Sequence, residues 1–446
     1  MASDLMTIAK SGAKAARSAL DVTAQNIANA NTEGYVRRSI ETAEVANSSG
    51  MLRLGDFSLS GVRVAAVNRN ADMFRQLEVR RTGADAARGS AALQGMENIE
   101  AAIEQSGLYG SVVAFEASIK QLASDPTANE LRAAALAQAD HMAQSFNLAS
   151  SSLDQVGEGA RFSAQGGVDE VNVLAEQLAR TNTFLSRAAP GGSDRAMLLD
   201  QRDNLLAKIS KQAGVTTSFN ADGQVDLRLG GASGPLLVTG STRQTLAMAT
   251  AGDGTISFDV GGTATNIATG GLAGHSATLS GVVSSKAQID AAADNIINLV
   301  NASQAGGVDL AGNPGNPIFS GSGAAGIAMT LASPSGIATA PAGSPARSLD
   351  SSHIQALANA LDSGAAAGRV SDAIFSVSST VANQRIATEA LETIASKARI
   401  ALDQQSGVDL DEEAANLVRY QQAFQASGRA MQVASDLFDT LLGIAR

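Results

Sequence analysis

The stretch LVRYQQAFQASGRAMQVASDLFDTL, residues 417–441, indicates the structure at the C-terminal end of the chain. Apolar or small side chains recur there at alternating steps of three and four residues, a spacing that places them on one face of an α-helix. The positions on this face, called the C-terminal stripe, are Leu417, Tyr420, Phe424, Ser427, Met431, Ala434, Phe438 and Leu441. The pattern predicts a long helix whose large apolar side chains pack on a second helix.

The N-terminal end carries the same spacing with smaller side chains. Its positions, called the N-terminal stripe, are Leu5, Ile8, Gly12, Ala15, Ala19, Val22, Asn26 and Asn29. Large side chains on one helix that face small ones on another make a complementary pair. All eight prolines fall between Pro126 and Pro345, so none interrupts a helix near either end. We expect the two terminal helices to pair as a coiled coil.

Between the ends, further helical periodicities indicate a bundle, the longest of them running from Val370 to Leu402. From Thr216 to about Thr278 the pattern changes to short alternating apolar runs separated by Asp-Gly and Gly-Gly pairs, which are typical of strands joined by tight turns. The predicted fold class is therefore mainly α: a bundle of long helices, with the N- and C-terminal helices paired as a coiled coil, plus a small inserted antiparallel β domain.

These patterns predict three domains. Residues 1–50 and 401–446 form a terminal coiled-coil assembly domain. Residues 51–215 and 279–400 form a helical bundle domain, to which the Gly- and Pro-rich residues 306–350 add a hairpin extension. Residues 216–278 form the small β domain.

Composition narrows the class of function. The chain of 446 residues has 32 Lys and Arg against 43 Asp and Glu, a net charge of -11. It therefore lacks the basic excess with which proteins bind nucleic acid or anionic membrane surfaces. With no Cys and three His, thiolate chemistry is excluded and sites built on several histidines are disfavoured. We expect no catalytic residue, no cofactor and no metal.

Two further features concern membranes and export. Charged residues such as Asp4 and Lys10 interrupt every N-terminal window in which the apolar segment of a signal peptide would lie. The uncharged run 310–346 is long enough to span a bilayer, but its five prolines are incompatible with a membrane helix. We predict neither a cleaved signal peptide nor a transmembrane segment.

Three local patterns have both a chemical and a structural interpretation. Gly321, Gly323 and Gly326 match the G-x-G-x-x-G pattern of dinucleotide sites, but prolines follow where a long helix should begin, so we interpret the match as a turn. The acids of residues 409–413 could serve acid–base or calcium chemistry; we interpret them as capping groups at the start of the last helix. The three histidines are far apart in sequence, and we interpret them as surface or capping residues.

The terminal stripes indicate self-assembly. A heptad stripe is more often an internal core, but these two lie at the ends of the chain, with little flanking structure. Their few large side chains do not compensate the conformational entropy that two long helices lose on ordering. We expect both ends to be disordered or frayed in the monomer and to order when helices of neighbouring chains cover them.

Two motifs carry a resemblance to a known family. Residues 26–35, NIANANTEGY, closely resemble the N-terminal signature of the axial proteins of the bacterial flagellum. Residues 406–417, SGVDLDEEAANL, and residues 420–426, YQQAFQA, resemble the C-terminal block of the hook-associated proteins rather than that of hook and rod proteins. Internal segments such as LLDQRDNLL at 198–206 agree. The chain departs from the family in the middle, where it has room for only one small β domain.

The resemblance implies a structural, non-enzymatic protein of the hook–filament junction, required for motility. It implies export of the unfolded chain through the flagellar type III apparatus, an extracellular position in the flagellum, and self-association into a ring through the terminal helices. The implied partners are the hook protein, a second hook-associated junction protein and a flagellar export chaperone at the C-terminal helix; no nucleic acid and no membrane is implied. Two alternatives stay open: another axial protein, of the hook or distal rod, and a secreted enzyme.

Overall fold

The computed structural model describes residues 2–46, 59–364 and 366–444. It confirms the predicted fold class, since long helices dominate, the terminal helices pair, and small antiparallel sheets lie in the middle of the sequence. The helices are α1 (Ala2–Ala28), α2 (Met73–Gln105), α3 (Leu108–Leu122), α4 (Asn129–Leu185), α5 (Ser193–Gln212), α6 (Gly271–Gly306), α7 (Gly323–Gly326), α8 (Ser352–Ser363), α9 (Ala366–Ser406) and α10 (Leu410–Ile444).

The strands are short, apart from the first two. They are β1 (Arg38–Ala46), β2 (Leu59–Arg69), β3 (Val215–Phe219), β4 (Val225–Leu229), β5 (Leu236–Thr239), β6 (Thr242–Arg243), β7 (Leu246–Thr250), β8 (Ile256–Val260), β9 (Thr263–Thr265), β10 (Gly307–Val308), β11 (Phe319–Ser320), β12 (Ala328–Met329) and β13 (Ala340–Pro341). The chain folds into two compact units. Unit 1 comprises Met1–Ala84, Glu170–Leu246 and Glu392–Arg446, and unit 2 comprises Asp85–Asp169 and Ala247–Leu391.

Unit 1 is organised around α1. This helix packs along α10 and also packs against the antiparallel hairpin of β1 and β2. A Cβ atom at Gly61 of β2 would lie 2.1 Å from the Ser11 hydroxyl oxygen, so a glycine is needed where the strand crosses the helix. At the same crossing the Ser11 hydroxyl accepts a hydrogen bond of 3.1 Å from the Val62 N–H. The hairpin is thereby fixed on one side of α1.

The four-stranded sheet of unit 1 has the order β3-β4-β5-β6. Its central strand β4 buries alternate residues, Val225, Leu227 and Leu229, as expected for a sheet with one face in the core. The buried Asn182 of α4 extends this sheet to the helix, because its amide donates to the Val225 carbonyl (2.9 Å) and accepts from the Val225 N–H (3.0 Å).

Unit 2 has one large apolar core. Side chains from α2, α3, α4, α6, α8 and α9 meet in a continuous cluster. Phe115 of α3 and Phe319 of β11 contact edge to face, with ring centroids 6.0 Å apart. The short strands β11 and β12 pair in register, Phe319 opposite Met329, in the stretch where the sequence predicts a hairpin.

The Gly- and Pro-rich part of unit 2 is held by a fully buried arginine. Arg132 donates hydrogen bonds to the carbonyl oxygens of Pro126 (2.6 Å) and Ile337 (2.9 Å) and to the Thr339 hydroxyl (2.6 Å). Burial lowers the pKa of Arg132. These bonds tie a stretch without long regular elements to the start of α4.

The β structure differs from the sequence prediction in its extent and arrangement. The strands end at Thr265 and α6 begins at Gly271, so residues 271–278 are helical rather than part of a β domain. Gly270, with φ 89°, makes the break between the last strand and the helix. The strands also form two separate sheets, since β7, β8 and β9 make a three-stranded sheet of their own. The hairpin β1–β2 lies in ranges for which the sequence predicts helices; the three-domain division itself stays a prediction.

Candidate assembly interface

The terminal helices α1 and α10 pair within one chain and run antiparallel. A Cβ atom at Gly12 would lie 3.1 Å from the Ser427 hydroxyl oxygen, which places the middles of the two stripes against each other. The chain that leaves α1 meets the first turn of α10, where Arg37 contacts Glu413 at 2.7 Å. The close approach at Gly12 is what the small side chains of the N-terminal stripe predict.

The centre of the pair is buried. Ala15, Ala19 and Val22 of α1 are almost inaccessible, and so is Ala434 of α10. The buried positions are therefore mostly small ones, and the two helix backbones lie close together. The large members of the C-terminal stripe are less enclosed: Leu417, Tyr420 and Met431 are only half-buried.

Part of both stripes remains open to solvent. Leu5 and Ile8 on α1 are exposed, and Phe424 and Phe438 on α10 are 44% and 52% exposed. The side chain of Leu441 lies outside the described residues. Exposed apolar side chains grouped on one helix pair are typical of a surface that another protein covers.

Asn26 and Asn29 stabilise the end of α1. Asn26 is 1% exposed; its side chain donates to the Arg38 carbonyl (2.8 Å) and accepts from the Arg38 N–H (3.0 Å) and the Tyr35 hydroxyl (2.8 Å). The Asn29 side chain donates to the Gln25 carbonyl at 2.9 Å. The conspicuous asparagines of the NIANANTEGY stretch thus direct the chain from α1 into β1.

A buried ion network fastens the hairpin β1–β2 to helix α5. Arg38 and Arg69, which face each other across the two strands, both contact Asp200 at 2.7 Å. Arg69 also contacts Asp203 at 2.8 Å, and Arg202 contacts Asp203 at 2.6 Å. Charge-assisted pairs of this kind are the strongest hydrogen bonds of a protein interior.

The two aspartates of the network have opposite pKa shifts. Burial raises the pKa of Asp200, and the charges of Arg69 and Arg38 offset only part of that effect. Burial also acts to raise the pKa of Asp203, but Arg202 and Arg69 outweigh it, so the pKa of Asp203 lies below its usual value. Asp203 is therefore the member of the network whose ionised form the fold favours.

The acids at the start of α10 act structurally. The Asp409 carboxylate accepts hydrogen bonds from the N–H groups of Asp411 (2.9 Å) and Glu412 (3.3 Å), which confirms the capping interpretation for this residue. Glu412 and Glu413 instead bind Arg37, each at 2.7 Å. The sequence pattern predicts neither this pairing nor the buried network; the charges of Asp200, Arg202 and Asp203, set between two Leu-Leu pairs in residues 198–206, are a local sign of the network.

The other patterns singled out in the sequence are structural as well. Gly321 and Gly323, with φ of 82° and 64°, form the turn of the β11–β12 hairpin, which confirms the turn interpretation. The ring of His353 lies 2.7 Å from the Ser303 carbonyl oxygen, through Nε2. Within residues 2–46, 59–364 and 366–444, no group of three or more His, Asp or Glu side chains is placed to hold a metal ion. Among the helices of those residues, none has the length and apolar character that crossing a bilayer requires.

Comparison with known families first defines the class of the chain. Residues 6–35, which include most of α1 and the Asn26 turn, match the family described as flagella basal body rod protein. Residues 403–444, which include α10, match the family described as flagellar basal body rod FlgEFG protein C-terminal. The paired terminal helices are thus similar to those of flagellar axial proteins.

The central region identifies the family. Residues 93–319, half of the chain, match the flagellar hook-associated protein FlgK helical domain, and the chain belongs to this family.

Individual relatives are also named as flagellar hook-associated proteins. Flagellar hook-associated protein 1 of Salmonella typhimurium is 30% identical over 249 residues, which cover 55% of this chain and 44% of that protein. Flagellar hook-associated protein 1 of Bacillus subtilis is 29% identical over 222 residues, covering 48% of this chain and 44% of that protein. The chain thus matches less than half the length of these relatives.

One solved structure is similar over part of the chain. The flagellar hook junction protein FlgK from Burkholderia pseudomallei has 22% identity and a TM-score of 0.49, over 55% of this chain and 46% of that one.

Proposed function

We propose that this protein is a structural component of the bacterial flagellum at the hook–filament junction, where it assembles through its terminal helices and acts without catalysis. Membership of the hook-associated family is the observation that carries this proposal. The antiparallel pair of α1 and α10 supports it, because the pair leaves apolar side chains exposed on the stripes that should join subunits.

The proposed interface consists of both stripes. On α1 it comprises Leu5, Ile8, Gly12, Ala15, Ala19, Val22, Asn26 and Asn29, and on α10 it comprises Leu417, Tyr420, Phe424, Met431, Phe438 and Leu441. Within this set we separate two roles. The buried small residues hold the helix pair of one chain together and Asn26 holds the turn after α1, whereas the exposed Leu5, Phe424 and Phe438 contact neighbouring subunits.

The partners follow from this role. Copies of the chain form a ring, with the hook protein on one side and a second hook-associated junction protein on the other. Export proceeds through the flagellar type III apparatus, with a chaperone over the C-terminal stripe before assembly. Phe424 and Phe438 give the physical reason for a chaperone. Both are about half-exposed, and uncovered aromatic side chains on a free helix promote aggregation.

A deletion strain of the source bacterium tests the proposal. It should build hooks without filaments, shed flagellin into the medium and lose motility, and a plasmid copy of this chain should restore filaments. Loss of the hook itself would instead place the protein in the rod or hook, the alternative that the matches at the two termini keep open. Clear turnover of peptidoglycan or casein by the purified chain would contradict a purely structural role.

A further inference from the structure

A cavity of about 550 Å³ lies in unit 1, between the turn after α1, the helices α2 and α5, and the end of α9. Its mouth is formed by the exposed residues Asn31, Thr32 and Glu33. Val79 and Leu402 contribute apolar surface to its wall. The assembly proposed through the stripes does not use this cavity.

One charged group on the wall of the cavity has no partner. Arg80 is 6% exposed, and among the residues that the structure describes none forms a hydrogen bond or an ion pair with its guanidinium. Its Nε and the Ser406 hydroxyl oxygen are fully buried and cannot reach a molecule in the cavity, which leaves the terminal nitrogens of Arg80 as donors. Buried polar groups are nearly always paired, so the unpaired guanidinium indicates an absent acceptor.

The acids around the cavity leave Arg80 unpaired. The cavity is lined by Glu33, Asp203 and Asp403 together with Arg80 and Arg399. The buried network next to it holds three arginines and two aspartates, Arg38, Arg69, Arg202, Asp200 and Asp203, and within the described residues no carboxylate forms an ion pair with Arg80. Burial lowers the pKa of Arg80, and nearby Asp203 offsets this effect only in part. Asp403, also on the wall, is occupied by Arg399 at 3.2 Å.

An unpaired buried guanidinium destabilises a fold, and an apolar residue of similar size would remove that cost. Functional sites commonly sacrifice some stability of the fold. A guanidinium binds a carboxylate through two parallel N–H···O bonds, a geometry that no other side chain matches.

We propose that this cavity is a binding site for a carboxylate group, which accepts hydrogen bonds from the terminal nitrogens of the Arg80 guanidinium. The carboxylate has two possible sources of the same chemistry. One is an acidic side chain of a second copy, a source that rests on the proposed self-assembly. The other is a small free carboxylate.

The first experiment uses the purified full-length monomer and succinate as the probe. Thermal unfolding is measured in sodium succinate and in sodium chloride of equal ionic strength. We expect excess succinate to raise the midpoint by about 2–4 °C, the shift that a bound ligand gives a domain of this size. Arg80→Met should abolish this shift, and in chloride it should raise the midpoint, because it removes an unpaired buried charge.

Two variants serve as controls. Arg81→Met changes an exposed arginine next to Arg80 on the same helix, and it should keep the full succinate response. Arg80→Lys keeps the charge but loses the paired N–H groups, so it should weaken the response; it also carries the test if Arg80→Met does not fold. No succinate-specific shift in the wild type, or an equal shift in Arg80→Met and the wild type, overturns the proposal.

The second experiment separates the two sources. Self-association of the concentrated protein is followed by sedimentation with and without succinate. If the carboxylate comes from a second copy, both succinate and Arg80→Met weaken self-association; if it is a free small molecule, neither does. The succinate titration uses the monomer, so the absence of a succinate-specific shift rules out the binding site and leaves the proposed function unaffected. Absence of self-association overturns the assembly and leaves the site intact.

Discussion

Asn26 determines where the first helix ends and the first strand begins. Its three hydrogen bonds go to the Arg38 backbone and the Tyr35 hydroxyl, and all lie in a buried turn. Asn26→Ala leaves the Arg38 N–H and carbonyl without partners, so we expect the free energy of unfolding to fall by about 2–4 kcal/mol. Urea unfolding measures this loss. Asn29→Ala, in the same turn but half-exposed, should cost clearly less; equal losses would show that Asn26 has no special role.

Asp203 gives unit 1 a dependence on pH. Its pKa in the folded chain lies below its unfolded value of about 4. Its contribution to stability is therefore present above that unfolded value and is lost as the pH falls through the lower folded pKa. Asp203→Asn should lower the free energy of unfolding by about 3–5 kcal/mol at neutral pH, and the difference from the wild type should shrink in acid.

The control for this measurement is Asp194→Asn, which changes an exposed carboxylate on the same helix α5. It should have little effect at any pH. A loss for Asp203→Asn that stays constant from neutral pH into acid would contradict the role of its ionised form.

At the scale of elements, the C-terminal stripe carries the sharpest prediction. Phe424 and Phe438 are about half-exposed in one chain, so Asp at either position should change the melting temperature of the monomer little. In the assembled protein the same carboxylate would be buried without a partner, which costs several kcal/mol in each subunit. We expect Phe424→Asp and Phe438→Asp to abolish filament attachment in cells.

Val418→Asp is the matched control, because Val418 is exposed on α10 but lies off the stripe. It should keep filaments and motility. Normal filaments in the Phe424→Asp and Phe438→Asp strains would refute the proposed subunit contact, and a large fall in monomer stability would show that the stripe is an internal core.

Elements with a regular period were predictable from sequence. The terminal pair follows from the three–four spacing, because that spacing alone fixes which side chains share a helix face. The hairpin β1–β2 was not predictable, because the exposed and half-buried residues of β2 alternate without a strong apolar face. Its position depends instead on Gly61 and on Arg69, whose partner Asp200 is 131 residues away in sequence. Contacts over such a separation leave no local pattern.

The same limit applies to the site. The stripe positions were predictable as one set, but their division into buried small residues and exposed large ones depends on the exact packing of α1 on α10. Arg80 and Ser406 carry no pattern at all, because a missing partner is visible only when the surrounding side chains are in place.

At the scale of the whole molecule, the ends of the chain should be the first parts to lose order. The sequence predicts that both are frayed in the monomer, and the structure packs them unequally: α1 packs on α10 and on both hairpin strands, whereas most of α10 is exposed. Limited proteolysis of the monomer should therefore cut residues 410–444 before residues 2–28. Assembly should protect both.

Mass spectrometry of the early fragments would identify the cut. The long helices of unit 2, which share a large core, serve as the internal control and should survive longer. Resistance of residues 410–444 in a verified monomer would show that α10 is ordered without neighbours.

The contact of Arg37 with the start of α10 has a mechanical consequence. The Arg37 side chain contacts Glu412 and Glu413, and the Arg37 N–H donates a hydrogen bond of 3.0 Å to the Ser406 carbonyl. The segment that follows α1 is therefore held to the start of α10 at one point. Because the two helices run antiparallel, their free ends lie side by side at the opposite end of the pair from this contact. A force that separates the free ends opens the pair from there, turn by turn, and the Arg37 contact is the last to break.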